Sequence, residues 1–345
     1  MRILIRSFVI AIILSIYSPP GQVFGQQYID NEGSIKMAVF IDPFTDSRSG
    51  PEQLNGPDLM YKSGITDLFN TLGCNIQAVH RVEIPEDLQW QYGEWNRASI
   101  SNNNLAHHIW SYDKDEIFVL GLLSGSKSLC GMLAGLQHLG PGRKPLKDSR
   151  GQEIQALVRT GDNYPLRVGL IWIDSKASFN TPDITLDGDM DGMNLAMATG
   201  QSNKNLRIKA GLNPAISTKY IIMAGVRDMS PHEQLNIDNS FIEIVRFDQN
   251  IEDEINTLSD LTDIIYVHVD MSVLDPNEIE GHKDAYPGGP SSKNLSIFLE
   301  KIFKYPKVAA LGLASYPEED SENFTMALAN ILEGAIAGIK SRNTK

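Results

Sequence analysis

Eight short apolar runs, separated mostly by segments of helical length, limit what this sequence can fold into. They are Lys36–Ile41, Cys74–Val79, Glu116–Leu123, Arg167–Ile173, Lys219–Gly225, Phe241–Arg246, Asp263–Val269 and Lys307–Leu313. Val, Ile and Leu dominate them, and apolar residues do not alternate strictly with polar ones. A strand with one wet face must alternate; a strand buried on both faces need not, and parallel sheets bury both. Helices are expected over Asp58–Leu72, around Leu105–Tyr112, and over Ser128–Leu139, His232–Asp238, Ile251–Leu258, Leu295–Phe303 and Asn323–Ile339. Arg81–Asn104 is polar and reads as a long surface connection. Strands alternating with helices, and no linker long enough to divide them, predict one α/β domain around a parallel sheet. Loops leaving the strands of such a sheet gather along one edge, and ligands are usually held there.

The N-terminus is a separate unit. Arg2 and Arg6 precede an apolar run from Ser7 to Tyr17, a Pro19-Pro20 break follows, and Val23-Phe24-Gly25 ends the segment. Residues 1–25 read as a secretory leader, too short in its apolar run to span a bilayer, with Gln26 opening a mature domain over 26–345. The expectation is a secreted protein without membrane contact once the leader is removed. A formal net charge of −13 and the lack of any Lys/Arg-rich run argue against nucleic acid or an anionic membrane surface as partner. Hydrophobic residues at 42% suffice for a sizeable core. Cys74 and Cys130 are therefore read as two buried thiols, with a single bridge left open. Asn294-Leu-Ser296 and Asn323-Phe-Thr325 are N-glycosylation sequons, usable in a eukaryotic secretory pathway.

Three strand-end loops carry polar chemistry: Ser124-Gly-Ser-Lys-Ser128, Asp174-Ser-Lys-Ala-Ser178 and Asp270-Met-Ser-Val-Leu-Asp275. The second runs on into an acidic stretch with Asp183, Asp187, Asp189 and Asp191. Clustered carboxylates suit a hard cation such as calcium. This spacing lacks the glycine and distal Glu of an EF-hand, so a solvated acidic loop is the simpler reading. His107 and His108 share a helix but face different ways. His268, inside a strand, is expected to be packed core; His282 fits cleft and surface equally. Ser124–Ser128 lacks the four-residue gap between glycines that a phosphate loop needs.

Together these loops resemble the arginase and agmatinase family of ureohydrolases. The likeness runs from Gly56-Pro57 to Pro317. It includes Asn180-Thr181-Pro182, Gly225-Val-Arg-Asp-Met-Ser-Pro231, Leu274-Asp275-Pro276 and Pro287-Gly288-Gly289. It implies a three-layer α/β/α fold around a central, mostly parallel eight-stranded sheet, and assembly into trimers or larger oligomers. Active members of the family hold two manganese ions on two His and four Asp, and a bridging hydroxide attacks the guanidinium carbon. Those ligand positions are Lys127, Asp174, Lys176, Ser178, Asp270 and Ser272 in this chain, with Ser126 where the first loop would have Asp. Only Asp174 and Asp270 keep the family's ligand types. A lysine ammonium has no lone pair to offer a metal.

Two Lys and two Asp sum to zero charge, so the ammonium groups are expected to bridge Asp174 and Asp270 in place of the cluster. An ion-pair role is favoured over a nucleophilic one, because neighbouring carboxylates offset any depression of a lysine pKa. By the same resemblance Asp191 stands at the proton-shuttle position, and Ala314 about where a Glu holds the guanidinium. Asn180 and Thr185 match positions that contact the substrate's α-carboxylate. Asp187 and Asp189 beside them would repel a carboxylate, which makes arginine a poor fit. The expectation is a pseudoenzyme with no cofactor and no assigned catalytic residue, binding a small molecule or a partner protein. The alternative is an active ureohydrolase of arginase or agmatinase type, hydrolysing a C–N bond of a linear amidine with manganese. A storage or structural role is the third class.

Overall fold

The computed structural model describes residues 28–44, 56–89, 93–138, 165–316 and 322–342. Residues 1–25, read above as a leader, Gln26 and Pro317 lie outside them. The strands are β1 Ile35–Asp42, β2 Cys74–Arg81, β3 Phe118–Leu123, β4 Val168–Ile173, β5 Ile221–Ala224, β6 Glu243–Val245, β7 Ile264–Asp270 and β8 Val308–Ala314. They form one eight-stranded sheet in the order β2-β1-β3-β8-β7-β4-β5-β6. Each coincides with one of the apolar runs, and every pairing is parallel rather than mostly so. Every residue of β3, β4, β5, β7 and β8 is buried, which requires helices on both faces. Edge strand β2 alternates instead, as a strand with one wet face should.

The stretch expected to be irregular before residue 105 holds a 17-residue helix, Glu94–Trp110. Its periodicity is masked because polar residues take core-facing positions and find partners there. Ser101 Oγ donates to Asp42 Oδ1 at 3.0 Å, and Asn102 Nδ2 donates to the carbonyls of Ala98 at 2.7 Å and Lys127 at 2.8 Å. Asp58–Leu72 is not one helix: Gly64, at φ 96°, interrupts it within a π turn over Tyr61–Ile65. Cys74 and Cys130 are both buried and unpaired, and burial pushes each thiol up to about 12.

Helices Ser292–Phe303 and Glu322–Ser341 pack through glycines. A Cβ on Gly334 would stand 2.2 Å from the Ser296 carbonyl oxygen, and one on Gly338 2.6 Å from that of Glu300. Backbone cannot give way as a side-chain tip can. Gly334→Ala is expected to destabilise by roughly 1–3 kcal/mol, even after the ~1 kcal/mol that Ala gains over Gly in a helix. A lower denaturation midpoint with an unchanged m-value would show it; an unchanged midpoint would mean the helices part freely.

Candidate active site

Strands β3, β8, β7 and β4 are consecutive in the middle of the sheet, and their carboxyl ends form the site. Lys127 lies in the turn after β3 and Ser315 directly follows β8; Asp270 ends β7 and Asp174 follows β4. Ile173 pairs with Val269, so the next residues, Asp174 and Asp270, come out side by side. Beneath them Trp172 stacks on His268, with centroids 4.5 Å apart and planes 8° from parallel. Tyr266 Oη lies 3.0 Å from His268 Nδ1. Burial drives the His268 pKa down to about 3, so this ring is neutral core, as its place in a strand suggests. The Trp172 indole donates to the Lys176 carbonyl at 2.9 Å and ties the β4 loop to this layer.

Asp174 and Asp270 retain only 3% and 5% of their surface. Asp270 Oδ1 accepts the Ser272 backbone N–H at 3.0 Å, and Oδ2 accepts the Ser315 hydroxyl at 2.5 Å. Asp174 Oδ1 accepts the Lys176 backbone N–H at 2.9 Å and the Ser272 hydroxyl at 3.3 Å. Burial raises both carboxyls above the usual carboxylate range, and for Asp174 the charge of Asp270 raises it further. Ser178 and Ser315 have left-handed φ values of 51° and 59°. Among the described residues only Asn203 shares this conformation without being glycine. Such strain costs on the order of 1–3 kcal/mol per residue and gathers at functional sites.

The lysines do not bridge the pair. Lys127 Nζ lies 3.3 Å from Glu94 Oε1 and 3.4 Å from Asp191 Oδ2; Lys176 Nζ lies 2.9 Å from Asp284 Oδ1. Among the described residues, no ion pair joins either ammonium to Asp174 or Asp270. The expected four-residue charge balance fails because carboxylates from other elements compete for the lysines. Glu94 starts a helix where an irregular connection was expected, and Asp284 comes from the loop after β7. Burial alone would lower the Lys176 pKa, but the hydrogen bond and charge of Asp284 raise it above an ordinary lysine. Asp284 in turn is held below the usual carboxylate range, Lys176 outweighing its burial.

Asp191 keeps 45% of its side-chain surface. Partial burial pushes its carboxyl up to about 6 against the offsetting charge of Lys127. Ser126 Oγ lies 3.5 Å from Asp191 Oδ1 and accepts from Asn194 Nδ2 at 2.9 Å. Asn180 closes the base of the acidic loop, its N–H donating to the Gly192 carbonyl at 2.9 Å. The Thr185 hydroxyl is engaged within the loop, donating to Asp187 Oδ1 at 3.1 Å. His282 belongs to the site. Its Nδ1 accepts the Asp284 N–H at 3.2 Å, which leaves the proton on Nε2 to donate to the Ser315 carbonyl at 3.0 Å. Ala314 is fully buried, and its neighbour Ser315 reaches Asp270 instead. His107 packs on Trp110 and His108 on His80, apart from this centre.

Lys127, Asp174, Lys176, Ser178, Asp270 and Ser272 do not fit a two-metal centre, and they support no chemical step through one. Among the described residues no three His, Cys, Asp or Glu are grouped to hold a metal ion.

The Arginase family model matches residues 153–337. The chain is 25% identical over 196 residues to an arginase of Bacillus caldovelox and 26% identical over 166 residues to one of Entamoeba histolytica. These alignments take in 54% and 46% of this chain, and 65% and 55% of the relatives, less than two thirds of their length. In structure it is similar to the arginase from Bacillus cereus, with a TM-score of 0.69 and 19% identity over 87% of this chain and 98% of that one. The Entamoeba histolytica arginase, solved with L-ornithine, gives a TM-score of 0.68 and 19% identity over the same shares. These likenesses overturn the expectations of a pseudoenzyme and of no cofactor. Both rested on only Asp174 and Asp270 keeping the family's ligand types, with the lysines expected to balance that pair; the lysines are held instead by Glu94, Asp191 and Asp284.

Proposed function

Because the chain belongs to the arginase family, we propose that it is an arginase-like ureohydrolase, hydrolysing a linear guanidino compound to urea and an amine. The observation that carries this reading furthest is the Asp174–Asp270 pair. These carboxyls keep the family's residue types, lie buried side by side at the middle of the sheet, and have no ammonium paired to them among the described residues. Two adjacent buried carboxylates repel each other and favour a cationic ligand. Hydrolysis takes a proton from water and delivers one to the departing amine. Asp191, with its pKa pushed up to about 6, can do both near neutral pH, where acid and base forms coexist.

Asp187 is exposed and Asp189 half-buried on the loop beside Asn180 and Thr185, so a substrate tail meets negative charge there. Agmatine is expected to exceed arginine in kcat/KM by about tenfold at low salt, with the gap narrowing as salt screens the loop. Asp187→Asn with Asp189→Asn should narrow it as well. Equal turnover of both substrates at low salt would show that this loop does not select. The reading itself is tested by colorimetric urea release from agmatine, arginine and shorter guanidino acids, with manganese supplied. No urea from any of them, at high concentrations of folded protein, would remove it.

A further inference from the structure

Glu94 and Asp284 lie outside the positions that the family uses for metals, yet each holds one of the two ammonium groups standing at those positions. Lys127, with 8% of its side chain exposed, sits between Glu94 from one helix start and Asp191 from the acidic loop. Lys176 donates its backbone N–H to Asp174 Oδ1, but its Nζ goes to Asp284. A flexible ammonium next to two buried carboxylates would settle on them unless a carboxylate elsewhere held it. We propose that Glu94 and Asp284 are positioning residues that park Lys127 and Lys176 away from Asp174 and Asp270, leaving this pair to receive a substrate's guanidinium head. A guanidinium is planar and matches carboxylate oxygens in paired hydrogen bonds, which suits two carboxyls set side by side. The choice of cation rests on the ureohydrolase reading; the parking of the lysines does not.

Agmatine binding to the full chain, measured by calorimetry beside urea release, tests this. Asp284→Asn is expected to weaken agmatine about tenfold or more, in Kd and in KM with kcat less affected, because the freed Lys176 moves onto the pair. Adding Lys176→Met should bring Kd back to within about threefold of the parent, a rescue that loss of a merely structural ion pair would not show. Glu94→Gln, alone and with Lys127→Met, forms the parallel pair of variants. Affinity unchanged in both Asp284→Asn and Glu94→Gln overturns the proposal. So does a loss that the lysine substitutions fail to relieve, or a parent that does not bind agmatine. Binding that follows the expected pattern without urea release would sink the hydrolase reading and leave the parking role standing. Urea release with affinity blind to both substitutions would do the reverse.

Discussion

Asp270→Asn is expected to slow urea release by about 10²- to 10⁴-fold and yet make the metal-free protein more stable at about pH 8. The two effects share one cause. Asp270 and Asp174 are buried side by side, and each carboxyl is raised above its ordinary value near 3.8. A carboxyl whose folded pKa is raised contributes stability that is fully present below its unfolded pKa and is lost as pH rises through the folded one. Above that window the folded state bears two crowded negative charges, and the substitution removes one while keeping the shape. The Ser272 N–H still finds an acceptor, and the Ser315 hydroxyl can turn to accept from the new amide. Thermal unfolding with chelator present should therefore favour Asp270→Asn at about pH 8, with the advantage shrinking towards about pH 4. A variant less stable at the higher pH would make Asp270 a structural anchor rather than a functional charge.

Gly312→Ala is expected to cost about 3 kcal/mol or more, the upper range for overpacking. Gly312 lies in β8 opposite His268 of β7 and Gly121 of β3. A Cβ there would stand 2.0 Å from Tyr266 Oη and 2.9 Å from Cζ. Tyr266 is fully buried and cannot swing aside without breaking its contact with His268, on which Trp172 stacks. The strain would thus reach the layer directly beneath Asp174 and Asp270. A large drop in the denaturation midpoint checks this, and Tyr266→Phe in the Gly312→Ala background should recover part of it. Parent-like unfolding of Gly312→Ala would mean that the sheet relaxes more easily than these distances imply.

The sheet was legible because burial on both faces writes itself as uninterrupted Val, Ile and Leu. The helix Glu94–Trp110 was not, because Ser101 and Asn102 occupy core-facing positions and satisfy themselves against Asp42 and the turn carrying Lys127. That helix also brings Glu94 into the site, so one hidden element concealed one functional partner. Asp174, Asp270, Lys127 and Lys176 lie in polar strand-end loops, and the resemblance to the ureohydrolases is what marks them as site positions. Their pairing was misjudged because charge was summed over the ligand positions alone, while Glu94, Asp191 and Asp284 entered from elements distant in sequence. Ser315 left no signal: its left-handed backbone and its bond to Asp270 exist only once β7 and β8 are paired.

The ureohydrolase reading is tested most directly by following agmatine labelled with carbon-13 at its guanidino carbon by NMR, with the full chain and with manganese alternately added and chelated. Conversion of the label to urea, lost in Asp270→Asn while that variant stays folded, is the predicted result. A guanidino signal unchanged after prolonged incubation with folded parent protein, under both metal conditions and with labelled arginine as well, would contradict it.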